Sequence, residues 1–398
     1  MPKINHDILR WARETAGLSL EEAISKLNIR DTKSASAADR LTALEVGDTE
    51  PTRPMLLKMA KQYHRPLLTF YMSGPPRQGN RGQDFRTLPS EYSSSEEALL
   101  DALIRNVQAR QGLVKAVLED EDDVAPLPFI NSMNASDGVE DVLNSLKDTL
   151  QLDIDEFRSQ SSPAKAFALL RDTVESIGVF VLLIGNLGSH HTAIDLEAFR
   201  GFALADELAP FIIINDQDAH AAWSFTLLHE FAHLMLGQTG VSGARAEIAV
   251  EQFCNDVAGE FLLPHQEIQE IDVGEGTDIA QALKMISEFA QARNVSSSMV
   301  TYKLFRGDMI SHDKWVGLSR QFRALWLNGK MEKKRKSRDQ QGSGPNYFVV
   351  RRHRIGNTLI NFVDRMMASG AVTTTKAGQI LGVKPSNVMT LIDTGKAI

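Results

Sequence analysis

The sequence contains a single cysteine, and this scarcity sets the first limit on the protein. Cys254 has no second thiol in the chain to pair with, so no internal disulfide is possible. Strongly apolar runs are also short, since GVFVLLIG at 178–185 falls far below the ~20 residues of a transmembrane helix. The N-terminus is polar and lacks the apolar core of a signal peptide. We therefore expect a cytoplasmic protein with no membrane span.

An excess of positive charge is absent as well. The 398 residues carry a net charge of −8 at neutral pH, and the hydrophobic (43%) and charged (24%) fractions are ordinary for a globular protein. The overall charge therefore gives no attraction to nucleic acid, and such binding would need a local basic patch. At ~100–200 residues per domain, the length predicts two or three domains.

Composition and periodicity divide the chain into five predicted regions. The first reads as short helices, among them SLEEAISKL, in which Ser19 and Glu22 form a capping box, and AADRLTALE, which ends at Gly47. Two regions rich in Pro, Gly, Ser or basic residues read as linkers. The last region begins with YFVV, which is predicted to be a short strand before two or three helices. The five regions are 1–72, linker 73–95, 96–326, linker 327–346, and 347–398.

The central region predicts an α+β fold that is mostly helical. A long helix is expected from SSEEALL onward, and PAKAFALLRDTVESIG predicts a helix followed by the strand VFVLLI. The segment AFRGFALADELAPFIIIN predicts two strands joined by a turn. Two further helices are expected over 219–237 and 245–263.

The helix over 219–237 contains the motif His229-Glu230-Phe231-Ala232-His233. Two histidines at positions i and i+4 lie above one another on one helical face, so both imidazoles can reach one metal ion. Glu230 lies next to that face, where it can act as a general base. Because the flanking residues are apolar, the helix is expected to be buried, and a zinc ion would compensate the buried polar groups.

A third metal ligand is expected on the following helix. Glu251 lies 18 residues after His233, and Glu247, one turn earlier, is the rival. Asn255, one turn after Glu251, is a candidate for orienting a ligand, whereas Cys254 is expected to be a small buried residue. Two histidines and one carboxylate suit zinc best, although other divalent ions occupy such sites.

The segments FRGFALADELAPFIIIN, AAWSFTLLHEFAHLMLG and EQFCNDVAGEFLLP resemble the ImmA/IrrE family of metallopeptidases over about 165–310. The resemblance implies a zincin-like (gluzincin-type) core with a small twisted sheet. It implies Zn²⁺ held by His229, His233 and Glu251, and Glu230 as the catalytic residue. Cys254 stands where the family usually has alanine. Characterised members cleave a repressor or an antitoxin, so the resemblance implies a regulatory peptidase.

Both ends of the chain resemble helix-turn-helix modules. The N-terminal helices are similar to the XRE type, although Asn28 replaces a usual glycine and the turn IRDTKSASAAD is longer than usual by about seven residues. TTTKAGQILGVKPSNVMTLID resembles a second module. A DNA-binding role would draw on basic residues that could contact phosphates, namely Arg40, Lys333, Lys334, Arg335, Arg351 and Arg352.

These patterns lead to two functional hypotheses. The first is a zinc endopeptidase with a regulatory role, whose partner is a repressor, antitoxin or toxin encoded nearby. An additional electrophile would come from His220, Arg200 or Tyr302. The second is an antitoxin-like or DNA-binding partner protein in which the zinc site is structural or vestigial. A membrane partner is not expected under either hypothesis.

Overall fold

The computed structural model describes residues 3–76, 94–121, 124–237, 244–339 and 346–394. These form two compact units. The first comprises the N-terminal helices, helix α5 (Ser94–Leu118) as far as Gln108, and the segment Asn186–Phe199. The second comprises Ala109–Gly185 and the chain from Arg200 onward. Within the described ranges, no helix is both long enough and apolar enough to cross a bilayer.

The N-terminal helices begin and end where their capping residues predict. Ser19 accepts a hydrogen bond from Glu22 N (3.2 Å) and donates its own backbone N–H to the Glu22 carboxylate (2.9 Å), which confirms the capping box. Gly47 ends the third helix in the left-handed conformation (φ 91°). The helices are α1 (His6–Glu14), α2 (Leu20–Leu27), α3 (Ala37–Val46) and α4 (Arg53–Gln62), followed by a 3₁₀ turn (Leu67–Tyr71).

A buried ion pair ties α1 to α3 inside the first unit. Glu45 is only 4% exposed, and Arg13 binds it with two guanidinium nitrogens at 2.7 and 3.0 Å. This bidentate geometry offsets the cost of burying the carboxylate. The surrounding core is apolar and includes Leu9, Leu27 and Phe70.

The second unit is mostly helical around a small sheet, as the predicted α+β class requires. Its helices before the C-terminal region are α6 (Val139–Leu150), α7 (Ile154–Ser159), α8 (Pro163–Ser176), α9 (His220–Leu236), α10 (Ala244–Leu262), α11 (His265–Ile268), α12 (Ile279–Ala292), α13 (Ser297–Arg306) and α14 (His312–Asp339). The helices that follow are α15 (Tyr347–Ile355), α16 (Asn357–Ala368), α17 (Thr374–Leu381) and α18 (Val388–Asp393).

The sheet has three strands in the order β1-β3-β2, namely β1 (Phe180–Leu183), β2 (Gly201–Leu204) and β3 (Phe211–Ile214). Strand β3 is central, parallel to β1 and antiparallel to β2, so the predicted strand pair is confirmed. All side chains of β1 and β3 are buried, whereas β2 alternates half-buried and buried residues. Strand β2 is thus an edge strand with one face on the core.

Helix α5 holds the connection between β2 and β3. Gln111 Nε2 donates to the carbonyls of Leu204 (3.0 Å) and Ala209 (2.9 Å). One turn further, Lys115 Nζ binds Asp206 at 2.6 Å. These contacts anchor the turn after the edge strand, and therefore position β2 itself.

Two sequence predictions for the C-terminal region are wrong. YFVV is not a strand but the start of α15, because the Asn346 side chain accepts from Phe348 N and caps the helix. The linker predicted over 327–346 is helical as far as Asp339, where α14 ends. The remainder of that linker, 340–345, lies outside the described residues, as does most of the linker predicted over 73–95.

A buried ion pair attaches the C-terminal helices to the core of the second unit. Arg171 and Glu175 on α8 are 6% and 3% exposed and bind each other at 3.0 Å. Arg171 donates to the carbonyls of His353 on α15 (2.6 Å) and of Val181 on β1, while Glu175 accepts from Thr358 N on α16 (3.3 Å). The C-terminal helices therefore pack as part of this unit.

Candidate metal centre

Helix α9 carries the motif and is buried along most of its length. Nearly every side chain from Trp223 to Leu236 is buried, as its apolar sequence predicts. The helix ends at Gly237, which is left-handed (φ 58°). Its last carbonyls accept hydrogen bonds from an earlier loop, Leu234 O from Asn131 N (3.0 Å) and Met235 O from Met133 N (3.1 Å). These two hydrogen bonds fix the carboxyl end of α9, and with it the position of the motif.

The motif histidines meet a glutamate of α10. His229 Nε2 and His233 Nε2 are 3.1 Å apart, and each lies 3.4 Å from an oxygen of Glu251. One ligand atom from each of the three residues lies within 4.8 Å of the others. The structure therefore brings Glu251 to the motif, while the side chain of its rival Glu247 lies outside the described residues.

The chemistry of this trio fits a metal ion. The histidines are 2% and 4% exposed, so they are shielded from water. Nε2 of His229 and Nε2 of His233 face each other and the carboxylate of Glu251, so three groups that can donate lone pairs to a metal ion converge. In addition, Nδ1 of His229 is buried with no hydrogen-bond partner in the described part of the chain. Two imidazoles and a carboxylate converging in this way could hold a divalent ion.

Glu230 lies beside the trio and under the edge strand. It is 3% exposed, and its Oε2 has no hydrogen-bond partner among the described residues. A Cβ atom added to Gly201 of β2 would lie 2.7 Å from Glu230 Oε1 and 2.5 Å from Thr226 Cγ2. Only glycine therefore lets the edge strand approach the Glu230 carboxylate this closely. Sequence reasoning missed Gly201, although a glycine within a predicted strand is the signal that marks such a close approach.

A pocket of about 280 Å³ is lined mainly by residues of α9, α10 and α13. Phe225, whose ring stacks on that of His229 with centroids 6.3 Å apart, lines it together with Met299, Tyr302 and Asn255. Asn255 therefore faces this pocket, one turn along α10 from Glu251. Cys254 points the other way and is fully buried, as the sequence predicts.

The charged side chains that line this pocket pair with one another. Lys303 Nζ binds Glu260 and the carbonyl of Leu263 (2.7 Å), and Arg306 binds Asp256 at 3.4 Å. Burial lowers the pKa of Lys303, although Glu260 opposes this effect. The wall of the pocket therefore combines apolar and aromatic side chains with charged residues that pair with one another.

The three candidate electrophiles lie in different places. Tyr302 lines the pocket, where its hydroxyl accepts from Arg306 (3.0 Å). Arg200 immediately precedes Gly201 and pairs with Asp218 at 3.3 Å. His220 begins α9, nine residues before His229 and so roughly 14 Å away along the helix. Of these three residues, Tyr302 is the one that lines the pocket together with Phe225.

The predicted nucleic-acid contacts are spread over both units. Arg40 on α3 is exposed but donates to the carbonyl of Arg30 (2.5 Å). On α15, Arg351 donates to Gly382 O (2.7 Å) and Arg352 to Ile392 O (3.5 Å), so both bind backbone of the C-terminal helices. Arg335 on α14 is exposed, and the side chains of Lys333 and Lys334 lie outside the described residues.

Comparison with known proteins identifies one region of the chain. Residues 186–305 match the family model of the IrrE N-terminal-like domain, a peptidase family of the M78 type. The matched segment contains β2, β3, α9 and α10, and hence all the residues of the metal centre. The match supports the resemblance to the ImmA/IrrE metallopeptidases and leaves both predicted helix-turn-helix regions unmatched. Neither a curated protein nor a solved structure matches the chain.

Proposed function

We propose that this chain is a zinc-dependent endopeptidase with a regulatory role, which cleaves a specific partner protein such as a repressor or an antitoxin. The observation that carries the proposal is the convergence of two buried histidines, His229 and His233, with Glu251, where the buried Glu230 directly follows His229 in α9. The match of residues 186–305 to a peptidase family supports the same conclusion.

Three side chains would hold the ion, namely His229 and His233 through Nε2 and Glu251 through its carboxylate. Three protein donors leave one position open for water or substrate, which is typical of catalytic rather than structural zinc sites. When bound, zinc would supply Lewis acidity that polarises a carbonyl and makes water more acidic.

Glu230 is assigned the proton transfers. Its buried Oε2, which has no hydrogen-bond partner among the described residues, would accept the proton of the attacking water and pass it to the leaving amine. Because the side chain is only 3% exposed, bulk water does not compete for this proton.

The edge strand provides a binding surface for an extended peptide. Within the described residues β2 pairs only with β3, so its outer edge can hydrogen-bond an added strand. A peptide bound along that edge at Gly201 passes the carboxylate of Glu230. One of its side chains could then enter the pocket that Phe225 and Tyr302 line together with paired charged residues.

Metal content tests the site directly. We expect about one zinc per chain in the wild type by elemental mass spectrometry. Glu251→Ala is expected to lose most of this metal, whereas Glu247→Ala, which removes the rival carboxylate, keeps it. A wild type that takes up no metal after incubation with zinc would refute the proposal. Loss of metal in Glu247→Ala alone would assign the third ligand to Glu247.

Cleavage tests the assignment of the base. Metal-loaded wild type and Glu230→Gln are each incubated with a cell extract, and new N-termini are identified by mass spectrometry. We expect new termini from one or a few proteins with the wild type only, while Glu230→Gln retains its zinc. Equal cleavage by the variant would exclude Glu230 as the base.

A second candidate function is a binding partner, antitoxin-like or DNA-binding, with a structural or vestigial zinc site. It is favoured by the separate N-terminal unit, which has its own core around Leu9 and Phe70. Zinc binding without any cleavage, combined with a partner that binds wild type and Glu230→Gln equally, would favour this candidate.

A further inference from the structure

Far along the chain from the metal centre, two arginines of the second unit meet at the end of α17. Arg110 comes from α5 and Arg351 from α15. A Cβ atom added to Gly382 would overlap Arg110 Nη2, lie 2.6 Å from Arg110 Cζ and lie 2.8 Å from Arg351 Nη2. Both guanidinium groups therefore converge above this glycine and occupy the space that a side chain there would fill.

Arg110 is a buried cation with no carboxylate beside it in the described part of the chain. It is 7% exposed, and its Nε and Nη1 are buried without hydrogen-bond partners there. Burial, together with the like charge of Arg351, lowers the pKa of Arg110 to about 9, so the group still carries its charge at neutral pH. A buried unpaired guanidinium is costly, and proteins rarely retain one without an anion.

The neighbouring groups compensate only part of this charge. Arg351 donates to the carbonyls of Leu381 (3.3 Å) and Gly382 (2.7 Å) at the carboxyl end of α17. Such a helix end is worth roughly half a negative charge, against two cations here. Asp216 also favours the cation of Arg351, but it is already bound by Arg354 at 2.5 Å.

We propose that Arg110 and Arg351 bind a phosphate group beside Gly382, either free inorganic phosphate or a small phosphate monoester. Two guanidinium forks suit the several oxygens of one tetrahedral dianion, since each fork can donate two parallel hydrogen bonds. Gly382 is exposed and Arg351 is half-buried, so the site is open to solvent on that side. The bound anion would join α5 to α15 and α17.

The test is thermal unfolding and calorimetric titration of the full chain. Potassium phosphate is compared with potassium chloride at equal ionic strength, and phenyl phosphate serves as the monoester. We expect phosphate to raise the wild-type melting temperature by roughly 3 °C or more at saturating concentration. Equal binding of phenyl phosphate would assign the site to a phosphorylated metabolite, and binding at least tenfold weaker would assign it to free phosphate.

Variants test whether phosphate binds at Arg110 and Arg351 rather than at other cationic groups of the chain. Arg110→Gln is expected to raise the dissociation constant for phosphate at least tenfold, and Arg110→Lys, which keeps the charge but loses the fork, is expected to be intermediate. Arg352→Gln, one residue from Arg351 but directed at Ile392 O, is the matched control and should bind as the wild type does. The phosphate effect should persist in Glu251→Ala, which excludes the metal centre as its source.

Two results would overturn the proposal. One is a wild type that responds to phosphate no more than to chloride. The other is an Arg110→Gln variant that binds phosphate with the dissociation constant of the wild type, because the anion would then be bound elsewhere in the protein.

Discussion

Replacing Glu175 by alanine should detach the C-terminal helices from the core of the second unit. The change removes the acceptor of Arg171 Nε (3.0 Å) and of Thr358 N (3.3 Å), and it leaves the Arg171 guanidinium, 6% exposed, without its counter-charge. Breaking a buried ion pair at one partner costs about 3–5 kcal/mol. Since Arg171 keeps its bonds to the carbonyls of Val181 and His353, we expect the lower end, about 3 kcal/mol.

Urea unfolding measures this loss, and hydrogen exchange locates it. We expect faster amide exchange in α15 and α16 than in α9 of the variant. The matched control is Glu288→Ala, which breaks the pair Lys284–Glu288 at the same i,i+4 spacing but with both side chains more than two-thirds exposed. Such a surface pair contributes about 0.3–0.5 kcal/mol. If Glu175→Ala destabilised the protein no more than Glu288→Ala does, the buried pair would not be what attaches these helices.

Three further predictions concern the site and the N-terminal unit. Gly201→Ala should lower the rate of cleavage by about 100-fold at unchanged zinc content, because the new Cβ must displace the Glu230 carboxylate or β2. The control Gly112→Ala on α5, where nothing lies within 4 Å of the added Cβ, should leave the rate unchanged. Loss of zinc in Gly201→Ala would contradict this reasoning. Burial, assisted by nearby cations, lowers the pKa of His64 in the folded state. The contribution of neutral His64 to stability is therefore fully present above the unfolded pKa of about 6.5, and it is lost as the pH falls toward the folded-state pKa. His64→Asn, which tolerates the left-handed backbone there (φ 52°), should therefore lose less stability than the wild type between pH 8 and pH 5.5 in urea unfolding. Chelation of the metal should lower the melting temperature of the wild type reversibly and leave that of Glu251→Ala unchanged.

Local patterns predicted the elements that carry the site. The i,i+4 histidines within an apolar helix, the glycine after that helix and the strand pair before it all report short-range geometry, and α9, β2 and β3 form as expected. The carboxylate of α10 was harder to assign. Spacing left Glu247 and Glu251 open, and the structure brings Glu251 to the histidines because α10 packs against α9.

Tertiary contacts decided what local patterns could not. YFVV has strand-forming residues, yet Asn346 caps it as a helix and Arg171 binds the carbonyl of His353 at its far end. The basic run after Lys330 reads as a linker by composition but continues α14. The convergence of Arg110 and Arg351 joins residues 241 positions apart in sequence, so no local pattern could reveal it. The division of the chain into helix-turn-helix and peptidase domains stays a prediction.

The two edges of the small sheet differ in their capacity for self-association. Phe180 N and Ile184 N of β1 bond toward β3, so by alternation the carbonyl of Val181 faces the outer edge, where Arg171 binds it. This edge is closed by a side chain and cannot template a further strand. The edge strand β2 lies close to the carboxylate of Glu230, where the proposed peptide substrate would be accepted. Variants that detach the C-terminal helices would therefore expose a second unpaired strand edge, that of β1. We expect variants that lose the Arg171 contacts to aggregate, and variants that lose only the metal not to do so.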